Sequence, residues 1–380
     1  MRIMSCGSKK KVGIITIHKS PNYGACLQSY ALWKYISILG YDCEIIDLLR
    51  PTNKGYKWSR KYLPFRKKVR IGERFIQRVN LFFSKKQDRL TPFLQQQFDA
   101  FNQQIKYSNL YKGIDDLYAN PPQYDIYITG SDQVWNPQHG FSIEPYFLTF
   151  VTDKKAKKIA YASSIGLEKI RENEQVCFQK WLSSYDAIGV RENTAVELLS
   201  PLVDGRITQV LDPTFLLDIS HWQSIAQKPQ CEDYIFAFLL RFNAEFIDYL
   251  LKISKESRKK LILFSKVIEK PVEGAIVVNE GSISDFLGYF QHASLSITDS
   301  FHGTVFSILM GSQNFYSYIR NPQRGTRIFS LLNLFGLSSH ILSFEKSDVD
   351  LINNSIDREK LMSVLLEEQE KSRQFLKENL

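Results

Sequence analysis

The chain has 380 residues, 44% hydrophobic and 23% charged, which suits two domains with ordinary cores and excludes a disordered or fibrous protein. Lys plus Arg outnumber Asp plus Glu by 49 to 40, yet thirteen of those cations fall between Lys54 and Arg89 against only Glu73 and Asp88, so that stretch is +11 and the rest, 36 minus 38, is −2. A nucleic-acid protein spreads positive charge over its binding domains, so a surplus confined to one segment argues against that partner.

In chain order, residues 12–17 form a β-branched run suited to a buried parallel strand. A polar loop, 18–23, leads to Gly24, and apolar residues then recur at helical spacing over 25–39, with Gly40 as the C-terminal cap. A second strand, 43–48, completes a βαβ unit. Residues 50–120 interrupt the alternation. They hold the basic stretch, whose pattern predicts a helix over 69–83, and a Gln-rich helix over 92–104. Strands resume at 124–129, 158–163, 187–190 and 207–212. After His221 a second alternating set begins, with strands at 234–240, 260–264, 274–278, 294–299 and 314–318, helices between them, and an amphipathic charged helix over 358–380. The expected fold class is α/β: two Rossmann-like domains facing a cleft in the GT-B-like manner, with a basic helical insert and a closing C-terminal helix. The expected domains are 1–215, the acceptor side, 216–350, the donor side, and the helix 351–380.

Five cysteines are dispersed, with no C-x-x-C pair and no Cys/His cluster at metal-ligand spacing. This points to reduced thiols, a cytoplasmic protein and no metal site. The first ten residues lack a signal peptide's apolar run, and nowhere do 18 apolar residues follow one another.

Ligands of open α/β sheets sit beyond the carboxyl ends of the strands, so the loops there are the candidates. Asn22, Tyr23 and Gly24 open the first helix, where backbone N–H groups can receive an anion. The alternative is a turn whose glycine permits close packing. Ser131, Asp132, Gln133, Trp135 and Asn136 have the make-up of a sugar site, an aromatic face beside hydroxyl partners. The competing reading places Trp135 in the core and Asp132 in a turn cap. His302, at a strand end and helix start beside Asp299, Ser300 and Gly303, can exchange a proton near neutral pH or serve only a structural role. Arg191, also at a strand end, can fork onto a carboxylate or phosphate, or form a surface ion pair.

Six stretches in order carry a resemblance to a known family: 13–32, Tyr124-Asp-Ile-Tyr-Ile-Thr-Gly-Ser-Asp-Gln-Val-Trp-Asn-Pro137, Ala160-Tyr-Ala-Ser-Ser-Ile-Gly166, Val190-Arg-Glu-Asn193, Val210-Leu-Asp-Pro-Thr214 and Thr298-Asp-Ser-Phe-His-Gly303. The chain resembles the polysaccharide pyruvyl transferases over nearly its whole length. The resemblance implies a GT-B-like fold and transfer of pyruvate from phosphoenolpyruvate to two hydroxyls of one sugar as a cyclic ketal, in cell-surface polysaccharide assembly. By resemblance His302 is the general acid/base and Arg191 contacts the donor. Phosphoenolpyruvate is the co-substrate, with no further cofactor. Many relatives carry Arg two positions before the histidine. Here Ser300 stands there, and Arg320, Arg324 or Arg327 is expected to supply the charge, with Arg327 favoured. The runner-up function is a nucleotide-sugar glycosyltransferase on the same plan. A third reading makes the basic insert a binding module. With Tyr56, Trp58, Tyr62, Phe65, Phe75, Phe82 and Phe83 among its cations, the insert has the composition of an interfacial helix, which would dock on the anionic inner face of the plasma membrane and reach a lipid-linked acceptor. Packing of its Phe face on the first domain is the alternative.

Overall fold

The computed structural model describes residues 9–65, 91–342 and 356–380. The expected helix over 69–83 lies outside the described residues, as do nine of the thirteen cations between Lys54 and Arg89.

The first domain contains β1 (Lys11–Ile15), α1 (Tyr23–Ile38), β2 (Asp42–Ile45), α2 (Pro92–Asn102), α3 (Ile114–Ala119), β3 (Ile126–Thr129), β4 (Lys157–Ser163), α4 (Glu172–Leu182), β5 (Ala187–Val190), α5 (Asn193–Leu199) and β6 (Ile207–Gln209). Its six strands are all parallel, in the order β2-β1-β3-β4-β5-β6. The second domain follows with α6 (Ile219–Ile225), β7 (Tyr234–Phe238), α7 (Ala244–Ser257), β8 (Lys260–Phe264), β9 (Ala275–Val278), α8 (Ile283–His292), β10 (Leu295–Thr298), α9 (Phe301–Leu309), β11 (Phe315–Ser317) and α10 (Thr326–Leu334). Its five parallel strands run β11-β10-β7-β8-β9. β3 and β7 are buried at every position, as strands covered by helices on both faces must be.

Each sheet changes direction once, between β1 and β3 in the first and between β7 and β10 in the second. Crevices open at such switch points, beyond the strands' carboxyl ends. The two crevices face each other. Tyr23, at the start of α1, crosses to the second domain: its hydroxyl donates to the Gly281 carbonyl (2.5 Å) and its ring stacks on Phe286 at 4.9 Å. Lys266 donates back to the Pro21 carbonyl.

The last helix, α11 (Arg358–Asn379), returns to the first domain and braces the interdomain segment. Ser372 Oγ accepts from the Leu211 amide (2.9 Å), Gln369 donates to the Phe215 carbonyl (2.9 Å) and Arg373 to that of Leu216 (2.8 Å). In the described part of the insert, Phe65 lies edge-on to Trp181 (5.5 Å) and Tyr62 against Tyr118 (4.3 Å), so these two rings pack on the first domain. Trp58 is exposed. Among the described residues no helix is long and apolar enough to cross a membrane.

Candidate active site

A cleft of about 840 Å³ opens between the facing crevices. The first domain lines it with Asn22 after β1, Asp132, Gln133, Asn136 and His139 after β3, and Gly166 after β4. The second domain contributes Leu240 and Arg241 after β7, Asp299 to His302 after β10, residues 318–322 after β11, and Arg327 in the first turn of α10.

His302 is placed by capping chemistry. Ser300 is the N-cap of α9 and its Oγ accepts from the Gly303 amide (3.3 Å), which turns the next residues into a first helical turn at the cleft floor. His302 is largely buried, and its Nε2 stands 3.4 Å from Asp212 Oδ2. The other side of the ring rests on Gly24, where a Cβ would come within 2.1 Å of Nδ1. Gly24 thus serves close packing, the alternative open at the sequence level, and seats the histidine.

Asp212 is the hub. Its Oδ2 accepts from Arg191 Nη1 (2.8 Å) and Ser131 Oγ (3.0 Å), while Oδ1 accepts from the Thr214 amide (3.1 Å) and hydroxyl (2.8 Å). Burial opposes its ionisation, but His302 and Arg191 outweigh that and hold the carboxyl well below the usual carboxylate range. Arg191 is buried too. Its Nε and Nη2 have no hydrogen-bond partner among the described residues, the nearest carboxylates being Glu192 at 4.0 Å and Asp132 at 3.8 Å. Glu192 Oε1 is committed elsewhere, accepting from Ser164 Oγ and the Ile165 and Gly166 amides, each at 2.9 Å, and so it shapes the loop after β4.

Arg191 lies over the Phe301 ring at 4.2 Å and Arg327 over the same ring at 5.7 Å, so one aromatic ring holds two guanidiniums. Burial and the neighbouring Arg191 bring the Arg327 guanidinium down to about 10. Its Nε also lacks a hydrogen-bond partner among the described residues. The Gln133 amide faces it, and with its oxygen turned that way lies 3.0 Å from Nη2. Asp132 has a left-handed backbone (φ +71°), which aims its carboxylate into the cleft, where burial is outweighed by Arg191, His302 and Arg327 and the carboxyl stays ionised. Asp299 runs the other way. Burial raises it to about 6, although its Oδ1 accepts from the Leu240 amide at 2.7 Å.

The structure therefore brings Asn22, Asp132, Gln133, Asn136, Ser300, His302 and Arg327 to the cleft wall, with Arg191 and Ser131 packed against its floor. Three expectations need correction. Trp135 is fully buried, stacked on Phe147 (5.0 Å) with Nε1 donating to the Tyr146 carbonyl (2.8 Å), so neither face can meet a sugar. Tyr23 pins the domains together and presents no surface to the cleft. Gly303 is packed against Thr298, where a Cβ would approach Oγ1 to 2.2 Å, and serves α9 against β10 rather than a ligand. Arg191 is not a surface ion pair but a buried one. Asp212 and Glu192 were missed as site residues although both lie in quoted stretches. The available signal was an acid just beyond a strand, two residues after β5 for Glu192 and three after β6 for Asp212. Among the described residues no group of three His, Cys, Asp or Glu side chains is arranged to hold a metal ion.

Two parallel α/β domains with a polar cleft at their facing switch points define the GT-B architecture. Solved structures agree on the fold: Arabidopsis thaliana UGT89C1 is 12% identical over 96% of this chain and 95% of its own, with a TM-score of 0.52. The calicheamicin glycosyltransferase CalG4 is 11% identical over 96% of this chain and 95% of its own, at 0.50. The chain belongs to the polysaccharide pyruvyl transferase family, whose pattern matches residues 22–315. No curated protein sequence matches it.

Proposed function

We propose that this transferase moves pyruvate from phosphoenolpyruvate onto two hydroxyls of one sugar, releasing phosphate and leaving a cyclic ketal. The observation that carries the proposal is the set of buried guanidinium nitrogens without a hydrogen-bond partner among the described residues, Arg191 Nε and Nη2 and Arg327 Nε, beside His302. A buried donor without a partner costs about 1–3 kcal/mol. A ligand carrying a carboxylate and a phosphate would satisfy both arginines at once.

In the proposed reaction a proton is delivered to the donor's methylene carbon and the first sugar hydroxyl bonds to the adjacent carbon as it loses its own proton. The second hydroxyl then bonds to that carbon while the carbon–oxygen bond to phosphate breaks, and its proton leaves with the phosphate. His302, held by Asp212, would carry protons in both steps. Arg191 and Arg327 would bind the donor's anionic groups, with Arg327 supplying the charge that Ser300 lacks. The thirteen cations between Lys54 and Arg89 support docking on an anionic leaflet, which sedimentation with and without anionic liposomes tests. The decisive assay is phosphate release from phosphoenolpyruvate, expected only with an acceptor sugar present, with mass spectrometry of the acceptor for one ketal-linked pyruvate. Turnover of a UDP- or GDP-sugar instead would refute it.

A further inference from the structure

The two donor arginines reach the cleft from opposite domains. Arg191 stands at the end of β5, directly before α5, and Arg327 lies in the first turn of α10. Their like charges oppose each other over the Phe301 ring, so attraction between them cannot hold the two segments together. The start of α5 also lacks a cap of its own. Its N-cap residue, Glu192, makes no side-chain cap hydrogen bond, and its Oε1 is committed to the loop after β4. The first amides of a helix have no partner within that helix and must find one outside it. Asn193, the first residue of α5, donates its amide to Ser330 Oγ at 2.9 Å, and Ser330 belongs to α10 in the second domain. The same oxygen accepts from Nε2 of Gln209, the last residue of β6, at 3.2 Å. A hydroxyl oxygen has two lone pairs, and here the first domain takes both.

Asn193 lies two residues after Arg191, and Gln209 three before Asp212, so this hydroxyl grips both segments that form the buried Arg191–Asp212 pair. Ser330 follows Arg327 by three residues, which puts the two on neighbouring positions of one face of α10. The guanidinium and the hydroxyl therefore approach the first domain together. Resting on the proposed donor roles of Arg191 and Arg327, we infer that Ser330 is a positioning residue for the donor: it caps α5 from the opposite domain and so sets the distance across which the two arginines share one anion. The contacts of Tyr23 with Gly281 and of Lys266 with Pro21 tie the domains at the far end of the second sheet, after β8 and β9. With the Ser330 hydroxyl removed, the domains stay joined there while the end that bears the arginines can part.

Ser330→Ala probes the tie without threatening the fold, because alanine is the best helix former and Asn193 is exposed, so water can take its amide. Calorimetric titration of the full-length variant with phosphoenolpyruvate is expected to show about tenfold weaker binding than wild type, about 1.4 kcal/mol, the net worth of one or two neutral hydrogen bonds. Ser330→Thr keeps the hydroxyl and should bind within about threefold of wild type. Asn333→Ala, at an exposed position of the same helix, should bind as wild type does. In acceptor-dependent turnover, Ser330→Ala should raise KM for phosphoenolpyruvate about tenfold and leave kcat within about twofold, since saturating donor restores the spacing. Hydrogen exchange over residues 188–199 reads the cap with no donor present, and the start of α5 should exchange faster in Ser330→Ala. The inference is overturned if Ser330→Ala binds phosphoenolpyruvate as the wild type does, if Ser330→Thr is as weak as Ser330→Ala, if kcat falls while KM holds, or if exchange in α5 is unchanged. Failure of the wild type to bind phosphoenolpyruvate would sink the donor reading alone, since the exchange measurement still judges the cap.

Discussion

Asp212→Asn is the sharpest single test of the buried hub. The substitution keeps the shape and, with its oxygen toward Thr214, preserves both Oδ1 contacts. It then places an NH₂ group where Oδ2 accepts from Arg191 at 2.8 Å and Ser131 at 3.0 Å and faces His302 at 3.4 Å. Ser131 can rotate to accept, but the Arg191 guanidinium has no acceptor role, so a charge-assisted bond worth about 1.5–3 kcal/mol is lost and a donor faces a donor. Breaking a buried ion pair outright costs about 3–5 kcal/mol, which bounds the stability loss from above. The catalytic effect should be larger than the stability effect. A carboxylate that orients a catalytic histidine contributes about 10⁴ in turnover in well-studied triads. The assay is acceptor-dependent phosphate release from phosphoenolpyruvate at saturating substrates, alongside thermal unfolding. The expected result is a folded protein, moderately destabilised, with kcat down by about 10³–10⁴. A folded Asp212→Asn variant within tenfold of wild-type kcat would refute the claim that Asp212 orients His302.

The other predictions follow from the same contacts. Gly24→Ala inserts a Cβ 2.1 Å from His302 Nδ1, so the ring must move; kcat should collapse while far-UV circular dichroism stays native, and unchanged turnover would show that His302 does not work from this position. His302→Ala should abolish pyruvyl transfer with little loss of stability. Arg191→Ala should abolish transfer too and also strand the buried Asp212 charge, lowering stability by about 3–5 kcal/mol in denaturant titrations. Asp299 carries the opposite pH signature to Asp212. With its carboxyl raised from 3.8 to about 6, the folded state takes up the proton more readily than the unfolded one, so wild-type stability falls as pH rises through that interval and stays reduced above it. The penalty is at most about 3 kcal/mol. Asp299→Asn should therefore melt higher than wild type at neutral pH, with the difference shrinking as pH falls from about 6 to about 4, and a variant less stable at neutral pH would refute the assignment.

The alternation of strands and helices was legible because buried parallel strands are short β-branched runs and amphipathic helices repeat their apolar residues. The strands expected at 187–190 and 260–264 appear as Ala187–Val190 and Lys260–Phe264, and the helix expected at 92–104 as Pro92–Asn102. The run expected to stay extended over 207–212 stops at Gln209, and Asp212 instead caps the short helical turn Pro213–Leu216. That departure creates the hub; an acid just beyond a strand is a local signal for Asp212, but its partners lie 21, 81 and 90 residues away at Arg191, Ser131 and His302, beyond the reach of any local pattern. Trp135 failed for a related reason. A tryptophan beside Asp, Gln and Asn has the composition of a sugar platform, but composition does not say which way a turn points its ring, and burial against Phe147 does.

By itself the sequence determined the periodicities, the loops that follow strands and the motif order that identifies the family, since these are properties of neighbouring residues. It also located the charge surplus in one segment and freed the cleft from any need for net charge. Only the tertiary structure decided which loop residues face the cleft and which are sealed beneath it. Two sheets must bring their switch points together before Gly24 meets His302, before Asp212 gathers a serine and an arginine from other strands, and before two arginines lie over one phenylalanine. Each of these contacts is a product of packing between distant segments, where desolvation and charge pairing act on whatever the fold brings within a few ångströms.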